Sequence, residues 1–340
     1  MKNSIEPNHF ILADGRWTGP HGIGRFSREI LSRLQYTDIL TEGPKPLSIK
    51  NLFWQSQQLY RYRKNYKIFF SPGFNPVIYS PIPFVFTIHD LIHLFAPGNI
   101  SFPKKIYYQF LIKPAITRAY KILTISDYSK KTILEWANVP EDKIINVSCG
   151  INECFTREGL KHTPGYPYLL HVGNTQKPHK NISRLLQAFS SARINENMRL
   201  IFTGEFSETL FHLLHKLRLE NKIIIQKNLS EPALAEYYRG AEAVVFPSLY
   251  EGFGLPVAEG MASGVPVLTS NVTSMPEVAG DAALLVDPFD VGSISAGIEK
   301  IVNDAPLRKQ LVERGLERAK LFSWDKTAEM TQRILNLNIW

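Results

Sequence analysis

A chain of 340 residues has room for two domains, since single domains run to roughly 100–200 residues. Its composition, 44% hydrophobic and 21% charged with 21 Gly and 22 Pro, is that of a soluble globular protein. No apolar run approaches the roughly 18 residues of a membrane span, and the opening MKNSIEPNHF lacks a signal-peptide core, so the chain is expected in the cytoplasm. The two cysteines, Cys149 and Cys154, match neither a redox pair nor a zinc knuckle in their spacing and are expected to be reduced residues near a domain junction. The net charge of +8 lies wholly in residues 1–160, which carry 20 Lys+Arg against 12 Asp+Glu. It is concentrated in 60–67 (YRYRKNYK) and 104–131, where seven Lys and Arg face only Asp127. Such asymmetry suits nucleic acid, an anionic membrane surface or an anionic substrate, and equally an ordinary solvated basic face.

In chain order, a strand over 10–14 leads through a Gly-rich loop into GRFSREILSRL, where Phe26, Ile30, Leu31 and Leu34 form one apolar stripe. Residues 36–50 show no period and stay unassigned. Strands follow at 67–70, 84–88 and 122–125, and Gly and Pro in GLKHTPGYP put a boundary near residue 160. Beyond it the alternation is regular, with strands at 167–173, 199–204, 222–226 and 242–248. Helices are predicted at NISRLLQAF, 208–217 and 232–238. These apolar runs without polar alternation read as parallel strands buried on both faces. The class is therefore α/β, with doubly wound sheets whose ligands sit at the carboxyl ends of the strands. Domains are expected at 1–160 and 161–322. A final helix within 323–340 is expected to pack back on the first domain.

Chemistry concentrates in PSLYEGFGLPVAEGMASGVPVLTS, residues 247–270. A strand ends at Phe246 and a helix begins at Leu255 or Pro256, with proline suited to a first helical turn. No capping side chain stands before that start, and Gly252 and Gly254 remove the Cβ atoms that would hold a ligand off the backbone. Free amides, helix dipole and glycines make an anion site suited to a diphosphate. Glu251 and Glu259 flank it eight positions apart, a span of about 12 Å were all of it helical. That is the reach needed for one carboxylate to hold a sugar diol and the other a ribose.

The run EGFGLPVAE, with VVFPSLY before it and SMPEVAGDAALLVDP after it, resembles the donor-site signature of the large retaining GT-B glycosyltransferase family of the group 1 or family 4 type. HVGNTQKPHKNISRLLQAF, FTGEF, TIHDLIHLF and ILTISDYSKKTI extend the resemblance over nearly the whole chain, most closely to bacterial mannosyltransferases of polysaccharide assembly. It implies two Rossmann-like domains with a cleft between them, the donor in the second and the acceptor in the first. By this resemblance Glu259 holds the donor ribose and Glu251 the transferred sugar. The amides of Phe253, Gly254 and Leu255 take sugar hydroxyls and diphosphate, Lys180 pairs with the pyrophosphate beside Gly173 and Asn174, and Asn228 and Leu229 receive the base. His89 would stand next to the sugar as a catalytic residue, and His21, Gly22 and Gly24 of TGPHGIGRF would face the acceptor. Where many members carry an arginine, this chain has Asn174 and His179, neither a permanent bidentate cation.

The resulting expectation is a retaining glycosyltransferase with no metal and no resident cofactor. It would move a hexose, mannose from GDP-mannose by preference, onto a saccharide or lipid-linked acceptor in polysaccharide or lipopolysaccharide synthesis. Contact with the inner face of an anionic membrane would run through 104–131. The same signature admits a UDP- or another GDP-hexose donor, or a sugar-nucleotide epimerase of the same fold, which would need no acceptor. A basic nucleic-acid-binding protein is the remaining reading, but no helix-turn-helix, zinc finger or stacking motif accompanies the charge.

Overall fold

The computed structural model describes residues 10–19 and 22–336. These form two compact units: one runs to Leu91 and includes Ser101–Gly150 and the segment from Trp324, while the other comprises Ile92–Ile100 and Ile151–Ser323. The chain thus passes between units at Gly150, ten residues ahead of the Gly- and Pro-rich stretch at 160.

The first unit contains β1 (Ile11–Asp14), α1 (Gly22–Leu31), β2 (Asp38–Leu40), α2 (Ile49–Tyr62), β3 (Ile68–Ser71) and β4 (Phe84–Thr87). After α3 (Ile92–Phe95), which belongs to the second unit, it resumes with α4 (Phe102–Tyr107), a π-helical turn at Tyr108–Ile112, α5 (Lys113–Arg118), β5 (Lys121–Thr124), α6 (Asp127–Ala137) and β6 (Ile144–Asn146). All six strands run parallel in the order β2-β1-β3-β4-β5-β6. The unassigned stretch 36–50 holds β2 and the entry to α2, which Ser48 caps by accepting from the Asn51 amide at 3.3 Å. A three-residue, partly exposed strand is too short to display a period, which is why it escapes sequence reading.

The second unit continues with β7 (Tyr168–Val172), α7 (Ile182–Ser191), β8 (Arg199–Thr203), α8 (Glu208–Leu217), β9 (Ile223–Gln226), α9 (Glu231–Gly240) and β10 (Ala243–Phe246). α10 (Leu255–Ala262), β11 (Val267–Ser270), α11 (Met275–Ala279), β12 (Leu284–Val286), α12 (Val291–Asn303) and α13 (Ala305–Ala319) complete it. Its parallel order, read from the other edge, is β9-β8-β7-β10-β11-β12. The strands are buried where both faces are covered, and Leu185, Phe189, Phe202, Val245, Leu268 and Ile298 share one core. β9 departs from the expectation of burial on both faces: as an edge strand, each of its residues is only partly buried.

The last helix, α14 (Trp324–Asn336), packs on the first unit as expected. Arg33 Nε donates to Asp325 Oδ1 at 2.8 Å, Gln35 N donates to Gln332 Oε1 at 2.7 Å, and the Trp324 ring lies edge-on to Phe26. Gly150 is required there, because a Cβ would fall 2.2 Å from Trp324 N. Cys149 and Cys154 are both free thiols, and burial pushes the Cys149 pKa up.

Candidate active site

Strand order reverses once in each sheet, and a parallel α/β sheet opens a crevice at its carboxyl edge at that point. In the second sheet the reversal falls between β7 and β10. The segments that follow these two strands carry Lys180 and Glu251, and the structure joins them directly. Lys180 Nζ donates to Glu251 Oε1 at 2.7 Å, each side chain is 13% exposed, and the ammonium also lies 4.7 Å from the centre of the Phe246 ring. The lysine that the resemblance assigns to the pyrophosphate is here held by a carboxylate.

Local backbone chemistry brings the pair together. Pro178–Lys180 forms a 3-10 turn, and Asn181 takes a left-handed conformation (φ 62°) before α7. The Asn181 amide donates to Pro247 O at 3.0 Å and Pro288 O at 2.7 Å, tying the start of α7 to the end of β10. Leu249 N donates to His179 O at 2.7 Å, which aligns the two loops. On the other side Thr273 Oγ1 accepts from Glu251 N at 3.3 Å, and Ser274 Oγ donates to Glu251 O at 2.9 Å and Phe253 O at 3.1 Å.

α10 begins at Leu255, as its sequence indicates, with no side-chain cap and Pro256 in its first turn. Gly254 is needed twice over: its φ is 102°, and a Cβ would sit 2.2 Å from Met275 Cε. Because 251–254 is turn rather than helix, the full helical spacing between Glu251 and Glu259 does not apply. Glu259 is buried, and Tyr238 Oη of α9 donates to its Oε2 at 2.8 Å. Gly173 has φ 134° and faces Lys180, whose Nζ would lie 3.6 Å from a Cβ there. Phe253 is buried edge-on against Phe322. Asn174 is exposed and accepts from Gln176 N at 3.0 Å, while Asn228 (φ 56°) and Leu229 follow edge strand β9, two strands from β7.

Two buried histidines sit close by. His171 on β7 donates from Nδ1 to Val245 O at 2.9 Å, and burial lowers its pKa to about 4. His179 accepts at Nδ1 from the Asn99 amide at 2.8 Å and is likewise lowered to about 4 by burial, partly opposed by Glu251. Both are neutral near pH 7, so His179 supplies no cation in place of an arginine. Among the described residues, no three His, Cys, Asp or Glu side chains gather into a metal-sized cluster.

His89, expected as a catalytic residue beside the sugar, and Gly22 and Gly24, expected on the acceptor side, lie in the first unit. His89, just past β4, is buried, donates from Nε2 to Pro72 O at 3.1 Å and meets the edge of Phe26. Gly22 opens α1, and Gly24 abuts Gly19, whose oxygen would lie 2.3 Å from a Cβ; His21 falls outside the described residues. Sequence reasoning missed Asn181, Tyr238, Thr273 and Ser274. Asn181 and Ser274 stood inside quoted motifs, whereas nothing local marked Tyr238, whose hydroxyl matters only because α9 packs beside α10.

Two parallel doubly wound sheets, with an ion pair and a glycine-led helix start at the switch point of the second, are the setting of a glycosyltransferase of GT-B fold, and the chain belongs to the group 1 glycosyltransferases. Residues 154–318 match the family described as Glycosyl transferases group 1, and residues 19–153 match Glycosyltransferase Family 4. The chain is similar to O-antigen chain mannosyltransferase B of Escherichia coli, 35% identical over 261 residues covering 73% of this chain and 68% of that protein. It is also similar to the serotype-specific mannosyltransferase WbdA of Escherichia coli, 29% identical over 263 residues, 71% of this chain but only 32% of WbdA. Among solved structures, Anabaena HepE (Alr3699), determined with UDP and glucose, superposes with a TM-score of 0.77 at 14% identity over 97% of this chain and 100% of that one, a likeness of fold.

Proposed function

We propose that this glycosyltransferase moves mannose from GDP-mannose, with retention at the anomeric carbon, onto a saccharide or lipid-linked saccharide of a growing surface polysaccharide. The observation that carries the sugar is the 35% identity to an O-antigen mannosyltransferase across 73% of the chain. The physical support is the switch-point geometry: the donor diphosphate would enter at the uncapped start of α10 and draw Lys180 from Glu251. Glu251 would then be released to hold the hexose, with Glu259, fixed by Tyr238, on the ribose. The amides of 253–255 would complete the cradle, Asn228 and Leu229 would meet the base, and His89 and the 18–24 loop would serve the sugar and the acceptor.

In the reaction the anomeric C–O bond to the diphosphate breaks and a bond to the acceptor oxygen forms on the same face. The acceptor proton passes to the departing phosphate oxygen while Lys180 and the helix start stabilise its charge. This scheme calls for no metal. A UDP-hexose donor is the second reading, supported by the fold shared with HepE, which was solved with UDP.

Titration with GDP and UDP at equal ionic strength separates the two. A polar group left unpaired against the wrong base costs about 1–3 kcal/mol, or roughly 5- to 150-fold in affinity. Equal binding would defeat the GDP assignment. An inverted product anomer, read by NMR, would defeat retention, and a free altered sugar formed without acceptor would indicate an epimerase.

A further inference from the structure

The stretch Ile92–Ile100 follows β4 in the chain, yet it belongs to the second unit. After α3, Ala96 N donates to Ile92 O at 3.0 Å and Asn99 N to Ala96 O at 3.1 Å, so the segment folds back around the buried Ala96. Its far end meets the 3-10 turn that carries Lys180. Gly98, at φ 74°, abuts Pro178, whose Cβ would lie 2.6 Å from a Cβ placed there, so glycine is what permits the approach. One residue on, Asn99 Nδ2 donates to His179 Nδ1 at 2.8 Å.

The 178–181 turn is anchored from several directions. Leu249 N, in the loop that leads to Glu251, donates to His179 O, and the Asn181 amide reaches Pro247 O and Pro288 O. Those contacts run to the loops beyond β10 and β12, and they fix the ends of the turn. Asn99 adds an anchor on the ring between them, from a segment 80 residues earlier in the chain. The imidazole is only 7% exposed, so water is poorly placed to replace the amide as donor. Without Asn99 the ring would have to turn to find another partner, and Lys180 is the next residue.

The contact also needs a neutral ring, because an imidazolium carries N–H at both nitrogens and would point one at the amide N–H. Burial supplies that state, lowering the His179 pKa to about 4. Glu251 opposes the shift, while Lys180, Lys177 and His93 push the same way.

We propose that Asn99 is a positioning residue of the donor site: its amide holds the His179 ring in one tautomer and orientation, and through that ring fixes the turn from which Lys180 meets the donor diphosphate. Acting through Lys180, it serves the diphosphate and leaves the choice of base and sugar to other groups.

The proposal rests on the preceding reading only in taking Lys180 as the ligand of the diphosphate. The full chain and its variants are titrated with GDP and with UDP. Asn99→Ala should weaken both by the same factor, roughly tenfold for a lost buried hydrogen bond. Beside Lys180→Ala the same substitution should cost nothing further, whereas a merely structural role would cost the same factor in both backgrounds. Spectra of 15N-histidine protein, with His179→Gln to assign the ring, should show Nδ1 bare and Nε2 protonated. In Asn99→Asp the carboxylate should draw the proton to Nδ1 and raise the His179 pKa. Unequal losses for GDP and UDP, an undiminished cost beside Lys180→Ala, or a His179 tautomer and titration unaltered by Asn99→Asp would each overturn the proposal. Wild-type affinity in Lys180→Ala would overturn the preceding role of Lys180 and this one with it. A loss there, with none in Asn99→Ala, would overturn this one alone.

Discussion

At the point where strand order reverses, the first sheet holds Arg16 against Asp14, and the second holds Lys180 against Glu251. Arg16 Nε and Nη2 grip both oxygens of Asp14 at 2.8 and 2.9 Å, and Nη1 donates to Asn51 Oδ1 at 2.6 Å. Asn75 Nδ2 reaches Asp14 Oδ2 at 3.2 Å, the guanidinium lies 4.5 Å from the Trp54 ring, and the two charged side chains are 4% and 0% exposed. The Lys180–Glu251 pair makes one hydrogen bond, is 13% exposed on each side, and sits beside a helix start with no cap. A forked, fully enclosed pair has no capacity left for a ligand. A single bond to a mobile ammonium can be exchanged for a phosphate. On the proposed function, the same topological position would serve architecture in one sheet and ligand exchange in the other.

The sharpest separation comes from Arg16→Met. Leaving Asp14 buried and unpaired should cost about 3–5 kcal/mol of unfolding free energy, with donor affinity per folded molecule unchanged. Denaturant melts alongside nucleotide titration measure both, and a wild-type melt would dissolve the distinction. Glu251→Gln should do the reverse, preserving the melt and nucleotide binding while kcat falls roughly 10²- to 10³-fold. Normal kcat in protein shown to bind donor would remove Glu251 from the reaction.

Acid should act on the second switch point through its buried histidines. His171 and His179 have folded pKa values near 4, below the ordinary 6.5, so between those values the unfolded chain binds more protons than the native one. Stability is therefore fully present above pH 6.5 and falls as pH drops toward 4, by about 3 kcal/mol from His171 alone. Unfolding free energy measured across that window should show the slope, and His171→Gln should flatten it by about one proton. An unaltered slope would mean that His171 is not held neutral. The smallest effect is expected from Tyr238→Phe, which leaves buried Glu259 short of a hydrogen bond at about 1–2 kcal/mol and raises KM for the donor more than it lowers kcat. A change confined to kcat would place Tyr238 with Glu251 instead.

In the second unit the strands as far as β10 and the helices between them were legible because short apolar runs mark parallel strands and α7 and α8 carry a 3.6-residue stripe, whereas β11, β12, α11, α12 and α13 went unassigned. The start of α10 was legible for a local reason: glycine in a left-handed turn followed by proline leaves few other conformations. β2 was not legible, since three partly exposed residues leave no periodic trace.

The site divides in the same way. Residue type and the turn they flank singled out Glu251, Glu259 and Gly254 as candidate donor groups, and the family resemblance added Lys180. That Lys180 and Glu251 hold each other, that Tyr238 fixes Glu259, and that Arg16 occupies the corresponding position of the first sheet were decided only by tertiary structure. These partners lie 71, 21 and 2 residues apart in the chain. Even for the nearest pair the outcome hangs on Asn51 and Asn75 arriving from other elements to bury it. Local rules fix backbone geometry within a turn or two, whereas the partner of a buried charge depends on which loops the sheet order brings to the same edge.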